Sequence, residues 1–90
     1  MDEALAMITD QRYGEAAERL GRLASEFGRT GDADSAAKAV FWQGYCYEKG
    51  GQADLAAALY RRVIQTWPGT AASQQASERL TLLEPAASQR

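Results

Sequence analysis

The sequence contains no histidine and only one cysteine, Cys46, among its 90 residues. Histidine is the commonest general base and the commonest metal ligand, so the chain lacks the side chain that most often serves acid–base catalysis or metal binding. A single cysteine forms no disulfide within the chain and, without histidine, no Cys–His catalytic pair. We therefore predict a non-enzymatic protein with no catalytic residue, no metal site and no cofactor. Cys46 is expected to be a small packing residue.

Long apolar runs and a strong net charge are also absent. No stretch of about 18 apolar residues occurs, so we predict no membrane insertion. The net charge is −2, which provides no positive field to recruit nucleic acid, and Arg61-Arg62 is too short for a basic patch. The acidic start Met1-Asp2-Glu3 is not typical of a secretory signal, and the compartment stays open.

Alternating runs of β-branched and aromatic residues, the pattern of strands, are missing as well. Eighteen alanines favour helices that pack closely together. We predict an all-α fold with one domain over residues 1–84 and a frayed tail over residues 85–90.

The most informative stretch runs from Ala37 to Pro68 and predicts a helical hairpin. Apolar or small residues recur every three or four positions on both sides of a Gly50-Gly51 break, and a proline ends the second helix. The residues that carry this pattern are Val40, Gly44, Tyr47, Ala56, Tyr60, Val63 and Pro68. Small side chains at Gly44 and Ala56 would let the two helices nest, while Tyr47 and Tyr60 fill the space on either side.

This spacing resembles the tetratricopeptide repeat, a hairpin of about 34 residues. Gly44, Tyr47, Ala56 and Pro68 match the repeat pattern, and Tyr60 replaces its usual phenylalanine. Val40 and Gln43 stand where tryptophan and leucine are common. The segments over residues 63–72 and 75–80 also resemble repeats of bacterial envelope-associated proteins, such as the Tol-Pal coordinator and outer-membrane assembly lipoproteins. A fragment of such a protein would be periplasmic; otherwise the cytoplasm is the default.

Three more helices are expected around this hairpin. Tyr13 to Phe27 carries Ala16, Leu20 and Leu23 in the register of a second helix, which suggests an earlier repeat. The two registers lie 40 residues apart, which is longer than the usual repeat of about 34 residues. The extra residues form either a long loop over residues 28–34 or extended helices. We favour the loop, with Asp32 or Asp34 capping the next helix. With a short helix over Asp2–Thr9 and a closing helix over Thr70–Glu84, capped by Thr70, the array has about five helices.

A strip on the first helix of the hairpin is the candidate binding site. Its residues lie off the face of Val40 and Gly44, and they are Lys38, Phe41, Trp42, Tyr45 and Lys49. The resemblance implies that first helices line a concave groove, so we predict a protein or peptide partner with apolar anchors and some negative charge. Gln75, Arg79 and Leu82 of the closing helix are expected to add to its walls. In the family, a carboxylate clamp of lysine and asparagine grips the extreme C-terminus of a peptide. This chain has Phe41 and Tyr45 at the equivalent places, which disfavours a C-terminal peptide as the ligand.

Two alternatives stay open. Phe41 and Tyr45 could instead pack on the Tyr13–Phe27 helix, whereas Trp42 is expected to be at least half exposed. The chain could also be a structural spacer or a homodimer without a peptide ligand, because two repeats fall below the roughly three that a stable array needs.

Overall fold

Four helices follow one another over residues 12–83, the part of the chain that the computed structural model describes. They are α1 (Tyr13–Thr30), α2 (Ala33–Lys49), α3 (Ala53–Thr66) and α4 (Ala71–Leu83). Helices make up 86% of these residues and no strand occurs among them, so the predicted all-α hairpin fold is confirmed. Each helix packs on the next, and α2 also contacts α4. The predicted helix over Asp2–Thr9 and the tail over residues 85–90 lie outside the described residues.

The connections are short because a glycine ends each of the first two helices. Gly31 and Gly51 have φ values of 81° and 86°, a conformation that glycine adopts without a Cβ clash. The N–H of the following residue then returns to a helix carbonyl, from Asp32 to Phe27 at 2.9 Å in one turn. The same bond in the second turn, from the N–H of Gln52 to the carbonyl of Tyr47, is 2.8 Å long. Both turns are therefore Schellman motifs that reverse the chain within two or three residues.

The long loop predicted over residues 28–34 is wrong. Helix α1 continues to Thr30, and only Gly31 and Asp32 separate it from α2. The extra residues of the 40-residue spacing lengthen the helices instead: α1 has 18 residues, whereas α3, the corresponding helix of the hairpin, has 14. The predicted cap is confirmed, because Asp32 Oδ1 accepts a hydrogen bond of 3.2 Å from the N–H of Ser35.

Two clusters of buried residues hold the helices together. The cluster between α2, α3 and α4 contains Ala37, Val40, Phe41, Ala56, Tyr60, Val63, Ala72 and Ala76. The cluster between α1 and α2 contains Ala16, Ala17, Leu20, Ala39 and Cys46, and the partly buried Tyr47 packs against both clusters. Cys46 is fully buried and burial raises its pKa to about 11, so its expected packing role is confirmed.

Helices α2 and α3 approach each other closely at Gly44. A Cβ added at Gly44 would lie 2.9 Å from Cε1 of Tyr60 and 3.4 Å from the Cβ of Leu59. The Tyr60 ring is fully buried in the core. The expected nesting of the two helices over Gly44 is therefore confirmed, and Tyr60 is the residue that fills the gap.

Helix α4 closes the described array. Thr70 Oγ1 accepts a hydrogen bond of 3.1 Å from the N–H of Ser73, which confirms the predicted cap. The helix buries Ala72 and Ala76 and exposes mainly polar side chains. Its exposed polar residues are Gln74, Gln75, Ser77, Glu78 and Thr81. The last described helix therefore has a polar outer face, as a helix in contact with water requires.

We predict that Gly44→Ala destabilises the fold by about 1 to 3 kcal/mol, because the new methyl group overpacks the contact with Tyr60. Gly28→Ala is the matched control, since no atom lies within 4 Å of a Cβ at that helical position. Alanine there should leave stability unchanged or raise it by up to about 1 kcal/mol. Urea denaturation followed by circular dichroism measures both, and equal stability of the two variants would contradict the prediction.

Candidate functional site

Two clefts lie between α2 and α4, which contact each other and both pack on α3, and together we call them the groove. Its first part, which we call the lysine cleft, is lined by Asp34 and Lys38 of α2 and by residues 69–72 and Gln75 at the start of α4. Its second part, the aromatic cleft, has a volume of about 270 Å³. The residues that line the aromatic cleft are Phe41, Trp42, Tyr45, Gln75, Glu78 and Arg79. Gln75 lines both clefts, so the two clefts are neighbours along α4.

The aromatic rings of α2 form a row in which each touches the next. The Trp42 ring packs edge-on against Phe41 and against Tyr45, with centroids 5.3 Å apart in both pairs. Phe41 also lies 5.6 Å from the buried ring of Tyr60 on α3. Edge-to-face pairs at these distances are favourable beyond their buried area, so the row is held in place on the core.

Two cations flank the end of this row. Lys49 Nζ lies 5.3 Å from the centre of the Tyr45 ring, and the guanidinium carbon of Arg79 lies 5.6 Å from it. Both distances are within the range of cation–π attraction. Tyr45 therefore lies between a lysine of its own helix and an arginine of α4.

Residues 38–70, which span most of α2, all of α3 and the turn after it, match the family model described as Tetratricopeptide repeat. Over these residues the hairpin is similar to a tetratricopeptide repeat. The predicted resemblance is confirmed over these residues, whereas the bacterial envelope subtype is not. No curated protein and no solved structure matches the chain significantly. Tetratricopeptide repeats generally mediate protein–protein interactions, and proteins that contain them are generally non-enzymatic scaffolds.

The repeat exposes its aromatic row less than the sequence predicted. Trp42 is partly buried, so the expectation that it would be at least half exposed is wrong. Its ring packs against both core clusters as well as its aromatic neighbours. Phe41 is only 5% exposed and belongs to the cluster with Tyr60, while Tyr45 is partly buried. The row therefore lines the bottom and side of the cleft and does not project into solvent.

A carboxylate that the sequence did not single out connects the repeat to α4. Glu48 Oε1 accepts hydrogen bonds from the hydroxyl of Tyr60 at 2.8 Å and from Nε of Arg79 at 3.1 Å. Its second oxygen accepts from Nη2 of Arg79. A buried tyrosine hydroxyl needs a hydrogen-bond partner, so the predicted burial of Tyr60 was the available signal for such a group.

The charges of this network follow from its contacts. Burial alone would raise the pKa of Glu48, but the hydrogen bonds from Arg79 and Tyr60, with the positive charges of Arg79 and Lys49, lower it below 4.5. Burial and the bond to Glu48 raise the pKa of Tyr60, which keeps its hydroxyl a donor. The bond to Glu48 also raises the pKa of Arg79. Glu48 and Arg79 are thus a charged pair at neutral pH.

Among residues 12–83, no three side chains of the metal-ligating types come together in a way that could hold a metal ion. Within the same range, no helix is both long enough and apolar enough to span a bilayer.

We predict that Glu48→Gln lowers the stability of the protein by about 1 to 3 kcal/mol at pH 7, because Arg79 loses a charged partner and Tyr60 loses its carboxylate acceptor. The pKa of Glu48 is lowered by folding, so its contribution is complete above its ordinary pKa of 4.5 and is lost as the pH falls through the folded value. Urea denaturation of both proteins between pH 7 and pH 3 should show the difference shrinking below about pH 4.5. A difference that stays constant across this range would contradict the charged pair.

Proposed function

We propose that the groove between α2 and α4 binds a segment of another protein and places one apolar side chain of that segment in the aromatic cleft. The observation that carries this proposal is the row of Phe41, Trp42 and Tyr45, which lines a concave surface and keeps part of its area open. Partly exposed aromatic side chains in a preformed cleft are typical anchoring sites at protein interfaces. The general role of tetratricopeptide repeats in protein interaction supports it.

The size of the aromatic cleft favours a side chain over a free small molecule. Its volume of about 270 Å³ lies below the range of about 300 to 1,000 Å³ that is usual for small-molecule sites. A single aliphatic or aromatic side chain fits such a space, and the rest of the segment would then lie along the groove. Because Gln75 lines both clefts, a segment bound in the aromatic cleft would extend past Gln75 toward the lysine cleft.

Charge complementarity defines the second feature of the partner. Lys38 is exposed in the lysine cleft, and Lys49 is exposed at the rim beside Tyr45. Both ammonium groups can meet acidic groups of a bound segment from the two sides of the apolar anchor. We therefore propose a partner segment with one apolar residue flanked by acidic residues. The chain would act as a scaffold or adaptor, with no catalytic step.

This function predicts that Trp42→Ala and Tyr45→Ala each weaken partner binding at least tenfold, because each removes a wall of the aromatic cleft. A pull-down with the native chain and both variants, followed by affinity measurement on the recovered partner, tests this. Leu55→Ala is the matched control, since Leu55 is 48% exposed and lies at the start of α3, outside the groove. Circular dichroism checks that all variants are folded. Unchanged affinity in both groove variants would refute the proposal.

Light scattering of the native chain at several concentrations separates this function from self-association. The groove proposal expects Trp42→Ala to leave the oligomeric state unchanged. A native dimer that dissociates in the Trp42→Ala variant would show that a second copy closes the groove, and the proposal would then be wrong.

A further inference from the structure

We infer that Glu48 is a positioning residue for the aromatic cleft and sets its preference for an uncharged side chain. This inference rests on the proposed groove. Glu48 holds Arg79 beside the Tyr45 ring and neutralises its charge, so the cleft wall is preformed but offers no unpaired cation to an incoming carboxylate. Acidic groups of the partner are then directed to Lys38 and Lys49, outside the cleft.

The geometry makes Glu48 the support of Arg79. The carboxylate binds two nitrogens of one guanidinium, Nε and Nη2, and such a two-point contact fixes the plane of the group. The third hydrogen bond, from the hydroxyl of Tyr60, fixes the carboxylate in turn. The Tyr60 ring is itself held by the core, because it is fully buried and packs against Gly44. Packing in the core of the repeat therefore fixes the position of Arg79 at the cleft, through Tyr60 and Glu48.

The charges around the cleft are balanced by this arrangement. Arg79 and Glu78 line the cleft, Lys49 lies at its rim, and Glu48 pairs with Arg79. These four groups carry two positive and two negative charges. A carboxylate that entered the cleft would lose water without gaining an unpaired cation, and this costs free energy. An apolar side chain would bury its surface against Trp42 and Tyr45 without that cost.

Two small probes that differ only in charge test the inference. N-acetyl-leucinamide is uncharged, and N-acetyl-leucine carries a carboxylate on the same apolar side chain. Titration of each is followed by the NMR shift of the Trp42 indole N–H, which is assigned with a Trp67→Phe variant. In the native chain the uncharged probe should bind more tightly. In Glu48→Gln the ratio of the two dissociation constants should move at least fivefold toward the carboxylate, because Arg79 is released.

Glu78→Gln is the matched control. It removes one negative charge from the same cleft but no hydrogen bond to Arg79, so its ratio should change by less than half as much as that of Glu48→Gln. Arg79→Met provides a second test that does not depend on the folding of Glu48→Gln. It removes the guanidinium that neutralises the Glu48 carboxylate, and the ratio should move at least fivefold in the opposite direction, toward the uncharged probe.

The outcomes separate the inference from the function on which it rests. If the probes bind the native cleft but Arg79→Met leaves the ratio unchanged, the inference is wrong and the groove stands. The same holds if Glu48→Gln and Glu78→Gln change the ratio equally. If neither probe shifts the Trp42 signal of the native chain, the groove and the inference are both wrong.

Discussion

The missing side chain at Gly44 is the constraint on which the rest of the structure depends. It lets α2 approach α3 so closely that the Tyr60 ring occupies the position next to the backbone. The ring is then buried, and its hydroxyl reaches Glu48 on α2 at 2.8 Å. Glu48 in turn binds Arg79 of α4, so one close contact between two helices also determines how the third is attached. The packing of Tyr60 on Gly44 therefore determines where the hydrogen bonds of Glu48 form.

Helix α2 is central because it packs on all three of the other described helices. One face buries Ala39 and Cys46 toward α1, and another buries Val40 and Phe41 toward α3 and α4. Only a narrow edge remains for a partner, and Trp42 and Tyr45 lie along it. This explains why Trp42 is partly buried although its position on a helical projection is far from Gly44. A helix covered on two faces leaves no aromatic side chain of this size fully in solvent.

The hairpin could be predicted because its determinants are close together in sequence. Gly44, Tyr47, Ala56 and Pro68 all belong to one hairpin, and the caps at Asp32 and Thr70 act over three residues. Helix length was harder, since Gly28 and Thr30 are turn formers that lie inside α1. The signal that was missed is a second copy of the turn. Gly31-Asp32-Ala33-Asp34 recurs 20 residues later as Gly51-Gln52-Ala53-Asp54, and both copies form the same Schellman turn.

Only part of the candidate site, its aromatic row, could be predicted from the sequence. Its aromatic row lies on one helix, so helical spacing was sufficient to group Phe41, Trp42 and Tyr45. The partnership of Glu48 with Arg79 spans 31 residues and two turns of the chain, and its geometry depends on how α4 packs. Spacing alone contains no information on such a contact. Arg79 was predicted as a ligand-binding residue, whereas the structure pairs it with Glu48, and its part in partner binding stays a prediction.

A preformed cleft has a consequence for the affinity of the proposed interaction. The rings are already packed edge-on at 5.3 Å and Arg79 is already held, so few side chains must be ordered when a partner binds. The cleft is small, however, and one buried apolar side chain contributes only about 1.5 to 3 kcal/mol. Strong binding therefore requires that the segment also engages the lysine cleft, because the combined contacts share one loss of translational freedom. The two clefts share Gln75 as a lining residue, which makes them close enough for one segment to contact both.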